Sequence, residues 1–84
     1  MIRLIRYEMC WPGDTYDAEG MLRYRILVGV ALKEAHQCTV LCVESSHPLI
    51  ACIDIDPPEA HTDALTQSIV DIAAGVWADR ASWM

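Results

Sequence analysis

Between Glu59 and Trp83 the apolar residues recur with a helical period. Leu65, Ile69, Ile72, Val76 and Trp83 share one narrow arc at about 100° per residue, while Asp63, Gln67, Asp71, Ala74 and Ala78 share the opposite side. Asp56-Pro57-Pro58-Glu59 stands ahead of this stretch and supplies its start. Proline is tolerated in a first helical turn, where its missing N–H would have no partner, and acidic residues there suit the helix dipole. The pattern predicts an amphipathic terminal helix with one side built for a core and another that is acidic and small.

Earlier in the chain the period shortens. Ile2 to Trp11 alternates as a strand, with Ile5, Tyr7, Met9 and Trp11 on one face, and Pro12-Gly13-Asp14 ends it. Asp17 to His36 admits two readings. As a strand, Leu22, Tyr24, Ile26, Val28, Val30 and Leu32 alternate with Arg23, Arg25, Gly29 and Lys33. As a helix, Asp17 caps it, Ala18 and Glu19 open it, and Lys33 to His36 suit its last turn, but the apolar residues then surround most of the axis. Gly20 and Gly29 also weigh against a helix, at ~1 kcal/mol each relative to alanine. Periodicity alone favours the strand. Cys38–Val43 and Leu49–Ile55 are two β-rich runs separated by Glu44-Ser45-Ser46-His47-Pro48, which predicts a hairpin with a polar loop. Its second strand would present Leu49, Ala51, Ile53 and Ile55 on one face.

The chain of 84 residues is read as one domain, 1–84, without a linker or a repeat. With 54% hydrophobic residues it has the apolar content of a folded domain. The net charge of −6 is unevenly placed. Arg3, Arg6, Arg23, Arg25 and Lys33 balance Glu8, Asp14, Asp17, Glu19 and Glu34 within residues 1–36. Beyond them Glu44, Asp54, Asp56, Glu59, Asp63, Asp71 and Asp79 face Arg80 alone. An acidic surface of this kind repels phosphates, which argues against direct nucleic-acid binding, and suits a basic partner such as the DNA-binding groove of another protein.

Chemistry-bearing patterns are sparse. Cys38 and Cys42 would point the same way on a strand but lie ~13 Å apart, too far to share a zinc ion. Cys10 and Cys52 have no Cys-x-x-Cys partner, and His36, His47 and His61 are scattered. Buried small hydrophobes explain the cysteines better than ligands or nucleophiles do, although folding can still bring a cysteine and a histidine together. Asp54 and Asp56 would project to one strand face, where they can either hold a hard cation or simply precede the terminal helix. No phosphate-binding glycine loop, Gly-x-Ser-x-Gly or His-Glu-x-x-His occurs. The expectation is a non-enzymatic protein without cofactor or metal. Arg3 and Arg6 interrupt the first apolar run before a signal sequence forms, and Ile26–Leu32 is too short to span a bilayer, so a cytoplasmic address with reduced cysteines is expected.

A family resemblance joins these elements. Ile69-x2-Ile72-x4-Trp77-x5-Trp83, together with the first strand running into Trp11-Pro12-Gly13 and then Asp17-Ala18, resembles the DinI family of small bacterial and phage proteins of the DNA-damage (SOS) response. The resemblance covers nearly the whole chain, and its tryptophan pair is the most specific part. It implies the order β-α-β-β-α, which makes Asp17–His36 a helix against the periodicity. It further implies a modulator of the RecA recombinase filament whose acidic last helix reaches where DNA would lie. Carried over residue by residue, Glu59, Asp63, Asp71 and Asp79 become the acidic contacts. Ala78, Arg80 and Ser82 dilute a helix end that is strongly acidic in the family.

The expected fold is therefore a two-layer α/β (α+β) domain, a small mixed or antiparallel sheet with two helices on one face; the alternative is ββββα. The expected partner-binding residues are Glu59, Asp63, Asp71, Asp79 and Trp77. Spread carboxylates also occur on ordinary solvated helix faces, and Trp77, at the edge of the apolar arc, is either packing or an exposed anchor. Trp83 reads as core. Alongside the RecA-type modulator stands a phage-encoded inhibitor of a host defence nuclease, an anti-CRISPR-like mimic of nucleic acid that would occupy a CRISPR effector with the same surface. A small metal or thiol protein is a third class. The chain is expected to be a monomer or a homodimer.

Overall fold

The computed structural model describes residues 1–84. Its elements are β1 (Leu4–Met9), α1 (Ala18–His36), β2 (Thr39–Glu44), β3 (Cys52–Asp56) and α2 (Asp63–Ala78), with 3₁₀ turns at Pro58–Ala60 and Arg80–Ser82. The order β-α-β-β-α is the expected one, and the two layers are a three-stranded mixed sheet and a pair of helices. The all-strand alternative for residues 17–36 is not what forms. No helix is long and apolar enough to cross a membrane.

The sheet is centred on β1, in the order β2-β1-β3. β1 runs parallel to β2, with Tyr7 opposite Cys42, and antiparallel to β3, with Tyr7 opposite Ile53. The predicted hairpin is thus a correction: β2 and β3 lie on opposite edges and do not pair. Ile5, Tyr7 and Met9 are all buried, and the strand carrying them takes a partner on each side. The segment after β2 must then cross two strand spacings, ~10 Å, which a tight turn cannot do. Ser45–Ala51 makes this crossing, stapled by the Ser45 hydroxyl, which donates to the Ile50 carbonyl at 2.6 Å. The second strand is accordingly shorter than expected, and Leu49 and Ile50 lie outside it, exposed.

α1 is a helix because its core side is complete without its other apolar residues. Met21, Tyr24, Val28 and Leu32 are buried at helical spacing, whereas Leu22, Ile26 and Val30 are half-exposed. The alternation that mimics a strand is the superposition of these two stripes, each two residues out of step and hence ~160° apart around the axis. Asp17 sits at the N-cap position but its side chain makes no capping hydrogen bond. Gln37 closes the helix in the left-handed region, φ 52°, with its N–H donating to the Lys33 carbonyl at 2.8 Å.

α2 begins later and ends sooner than its apolar period suggests. Pro57 and Glu59 belong to the approach and its 3₁₀ turn, and Thr62 is the cap, its hydroxyl accepting from the Leu65 N–H at 3.1 Å. Such a cap is worth ~1 kcal/mol, a stronger start than a proline pair supplies. After Ala78 the chain folds over itself, and the Trp83 indole N–H donates back to the Val76 carbonyl at 3.0 Å. Trp83 therefore reaches the core from a turn, not from the helix.

One cluster joins the layers: Ile5, Tyr7, Met9 and Ile55 from the sheet, the α1 stripe, and Leu65, Ile69 and Ala73 from α2. Two glycines give a direct check on this packing. A methyl at Gly20 would sit 2.9 Å from the Trp11 ring and 2.9 Å from the Asp17 carboxylate, whereas one at Gly75 would meet nothing within 4 Å. Gly20→Ala should lower stability by roughly 1–3 kcal/mol despite the better helix former. Gly75→Ala should raise it by up to ~1 kcal/mol in urea unfolding. Equal gains from both would contradict the seating of Trp11.

Candidate functional site

α2 presents Asp63, Gln67, Asp71, Ala74 and Ala78 to solvent, as its period predicts. Asp63 stands in the first turn, and Asp71 accepts a hydrogen bond from the Gln67 amide at 2.8 Å. The other acidic residues are dispersed. Glu59 lies exposed on the 3₁₀ turn before the helix, and Asp79 follows its last residue, accepting from the Ser82 hydroxyl at 2.8 Å. Asp63 and Asp71 are brought onto one helix side, ~80° apart around the axis. Glu59 and Asp79 flank that side from the two ends.

None of these four carboxylates forms an ion pair. The chain's bridges are Arg3–Asp56, Arg6–Glu8, Arg6–Asp54 and Arg23–Glu19. Arg80, the basic residue nearest Asp79 in sequence, instead lays its guanidinium over the Trp77 ring at 4.8 Å and donates to the Trp77 carbonyl. The two aspartates that sequence allowed as a cation site both lie near arginines, and only Asp56 is firmly paired. Arg3 donates twice to Asp56 at 3.2 Å, and these bonds hold its carboxyl below the usual range, while Asp54 lies 3.8 Å from Arg6.

Trp77 is part of an aromatic group and not a projecting anchor. It meets Trp11 edge-on at 4.9 Å between ring centres, Tyr24 at 5.7 Å and Trp83 at 6.2 Å. Tyr24 is stacked on Trp83 at 6.0 Å and donates its hydroxyl to the Ala73 carbonyl at 3.3 Å. Burial raises the Tyr24 phenol to about 12.

Beside Trp83 a groove of about 630 Å³ opens between the helices, lined by Leu27 of α1 and Ile72, Gly75 and Val76 of α2, with Asp79 and Ser82 at its end. Sequence reasoning did not find it. Its signal was Gly75, a glycine inside a helix where alanine would be the better helix former. The groove combines an apolar floor with a carboxylate rim, which suits a side chain that is apolar along its stem and basic at its tip.

The thiols are dispersed in burial as well as in sequence. Cys10, Cys38 and Cys42 are half-buried and Cys52 is exposed, so none is the fully buried hydrophobe expected. Cys10 and His47 do meet, but the thiol contacts the His47 carbonyl at 3.5 Å, and the ring Nδ1 accepts from the Leu49 N–H at 3.2 Å. That imidazole nitrogen is occupied, so this contact is not a nucleophile–base pair.

Two measurements check these environments. Burial raises the Cys42 thiol to about 11, so iodoacetamide at pH 8 should label exposed Cys52 first and Cys42 last, as read by mass spectrometry of the folded protein. Tyr24 goes from an ordinary value of 10.0 to about 12 on folding, so its contribution to stability is complete below pH 10. That contribution should be lost as pH rises from 10 through about 12, and Tyr24→Phe should lessen the alkaline loss. Comparison with family models, with curated proteins and with solved structures returned no match.

Proposed function

We propose that the chain acts by binding, not by chemistry, and that it modulates a DNA-handling protein through the acidic outer side of α2. The partner this reading puts first is the RecA recombinase filament, which the DinI resemblance implies. The observation that carries the proposal is the set of unpaired carboxylates Glu59, Asp63, Asp71 and Asp79, since three of the arginines are committed to ion pairs elsewhere. Charges left uncompensated on a solvent-facing helix attract a basic groove at long range and pair with it at contact. α2 supplies a rigid mount, because Leu65, Ile69 and Ala73 fix its other side in the core. Trp77 contributes by holding the C-terminal turn in place.

The test compares charge here with charge elsewhere. Asp63→Lys with Asp71→Lys should abolish binding to RecA filaments in surface plasmon resonance. Asp14→Lys with Glu34→Lys, which changes the net charge equally at exposed sites, should leave binding nearly intact. Glu8 is unsuitable for this control, because it accepts from Arg6 at 2.8 Å. Asp63 also favours its helix terminus by ~0.3–1 kcal/mol, so thermal unfolding of each variant accompanies the binding curves. Added salt should slow association of the wild type, since exposed charges are screened beyond ~8–10 Å. Equal losses in both double variants would reduce the effect to bulk charge. Binding to a CRISPR effector and not to RecA would transfer the surface to the nuclease-inhibitor reading.

A further inference from the structure

We propose that two copies of this chain associate through the outer face of α1, antiparallel about a two-fold axis at Ile26. This inference is independent of the α2 reading, because it concerns the other helix. Leu22, Ile26 and Val30 are 49%, 56% and 52% exposed, three large apolar side chains four residues apart on one side of a helix whose core side is already filled. A stripe with that spacing is what a second helix packs against.

The ends of the stripe identify the occupant. Glu19 lies seven residues before Ile26 and Lys33 seven residues after it, on the same side of the helix. Antiparallel pairing about Ile26 sets each residue against the one equally far beyond the axis. Leu22 then faces Val30 of the second copy, and Glu19 faces Lys33 in both directions. Lys33 makes no ion pair within its own chain, whereas Glu19 already accepts from Arg23 at 2.6 Å and would bridge that Arg23 and Lys33 of the second copy. A surface that is its own complement under a two-fold rotation is the mark of an isologous contact.

Gly29 flanks this face on the β2 side, where a methyl would meet only the Cys42 sulfur at 3.8 Å, an ordinary contact. The stripe is ~21 Å long, and a helix contact ~10 Å wide along it covers a few hundred Å² per copy, less than the ~800 Å² of a standard interface. The dimer is accordingly reversible and depends on concentration.

Sedimentation equilibrium over micromolar to millimolar concentrations tests this directly. The wild type should pass from monomer to dimer mass. Ile26→Asp, a change at an exposed position, should weaken association by ~100-fold or more, because each dimer would bury two unpaired carboxylates. Val70→Asp, an exposed apolar position on α2, should leave it unchanged. Lys33→Glu should weaken it roughly 10-fold, and Glu19→Lys with Arg23→Glu and Lys33→Glu should restore it, since the pair across the axis and the Arg23–Glu19 pair within the chain are then reversed together. Circular dichroism establishes that each variant is folded. A wild type that stays monomeric at millimolar concentration would overturn the proposal. So would a dimer that survives Ile26→Asp, equal loss in Val70→Asp, or a triple reversal that fails to restore pairing.

Discussion

Tyr24 makes the contact on which the placement of the other elements depends. Its ring meets Trp11 from the end of β1, Trp77 from α2 and Trp83 from the terminal turn, and its hydroxyl reaches the Ala73 carbonyl. Burying a phenol without a partner would cost on the order of 1–3 kcal/mol, so the bond to Ala73 fixes the depth of α2 against α1 as well as satisfying the hydroxyl. The aromatic group needs space that side chains would fill. Gly13 and Gly20 provide it, since a methyl at either would come within 3 Å of the Trp11 ring. Two glycines, one in a bend and one in a helix, are thus explained by a single indole.

This dependence separates what was legible in the sequence from what was not. The faces of β1 and α2 could be read because each buries one side only, and a single period survives in the residues. α1 could not be read from its period, because an apolar outer stripe is laid over its core stripe and the two sum to a false alternation. The end signals at Asp17–Glu19 and Lys33–His36 allow a helix there, and the family resemblance decides for it. The bounds of α2 were misjudged for a local reason: the cap Thr62 follows the prolines, and Trp83 continues the helical arc by coincidence while bonding back from a turn. Strand pairing was beyond local pattern altogether. β2 and β3 carry the alternation and polar loop of a hairpin, but β1 lies between them, and nothing in their own residues reports a third strand.

The candidate site was legible in its charge and not in its relief. Asp63 and Asp71 were placed on the exposed side of the last helix by counting alone, and the structure leaves them without cations. The groove between Leu27 and Gly75 depends on how two helices sit against each other, which no single segment encodes. Trp77 shows the same limit. Its arc position allowed an outward anchor, and only the nearness of Trp11, 66 positions earlier in the chain, turns it inward.

Charge and packing divide the molecule in a way that bears on how it can bind. Ion pairing is spent on the sheet and the start of α1, where Arg3, Arg6 and Arg23 meet Asp56, Glu8, Asp54 and Glu19. These bridges are exposed, apart from the half-buried Arg6–Glu8 pair, and exposed pairs contribute little to stability, ~0–1 kcal/mol each. None of them reaches a carboxylate of α2. Arg80 is the cation next to Asp79 in sequence, and the Trp77 ring holds its guanidinium, so the aromatic group that orders the core also keeps it off Asp79. A helix anchored on one side by Leu65, Ile69 and Ala73 and left anionic on the other needs no rearrangement to meet a cationic surface. On the proposed binding role, the cost of ordering these carboxylates has been met by folding, which would leave charge attraction and contact to act at an encounter.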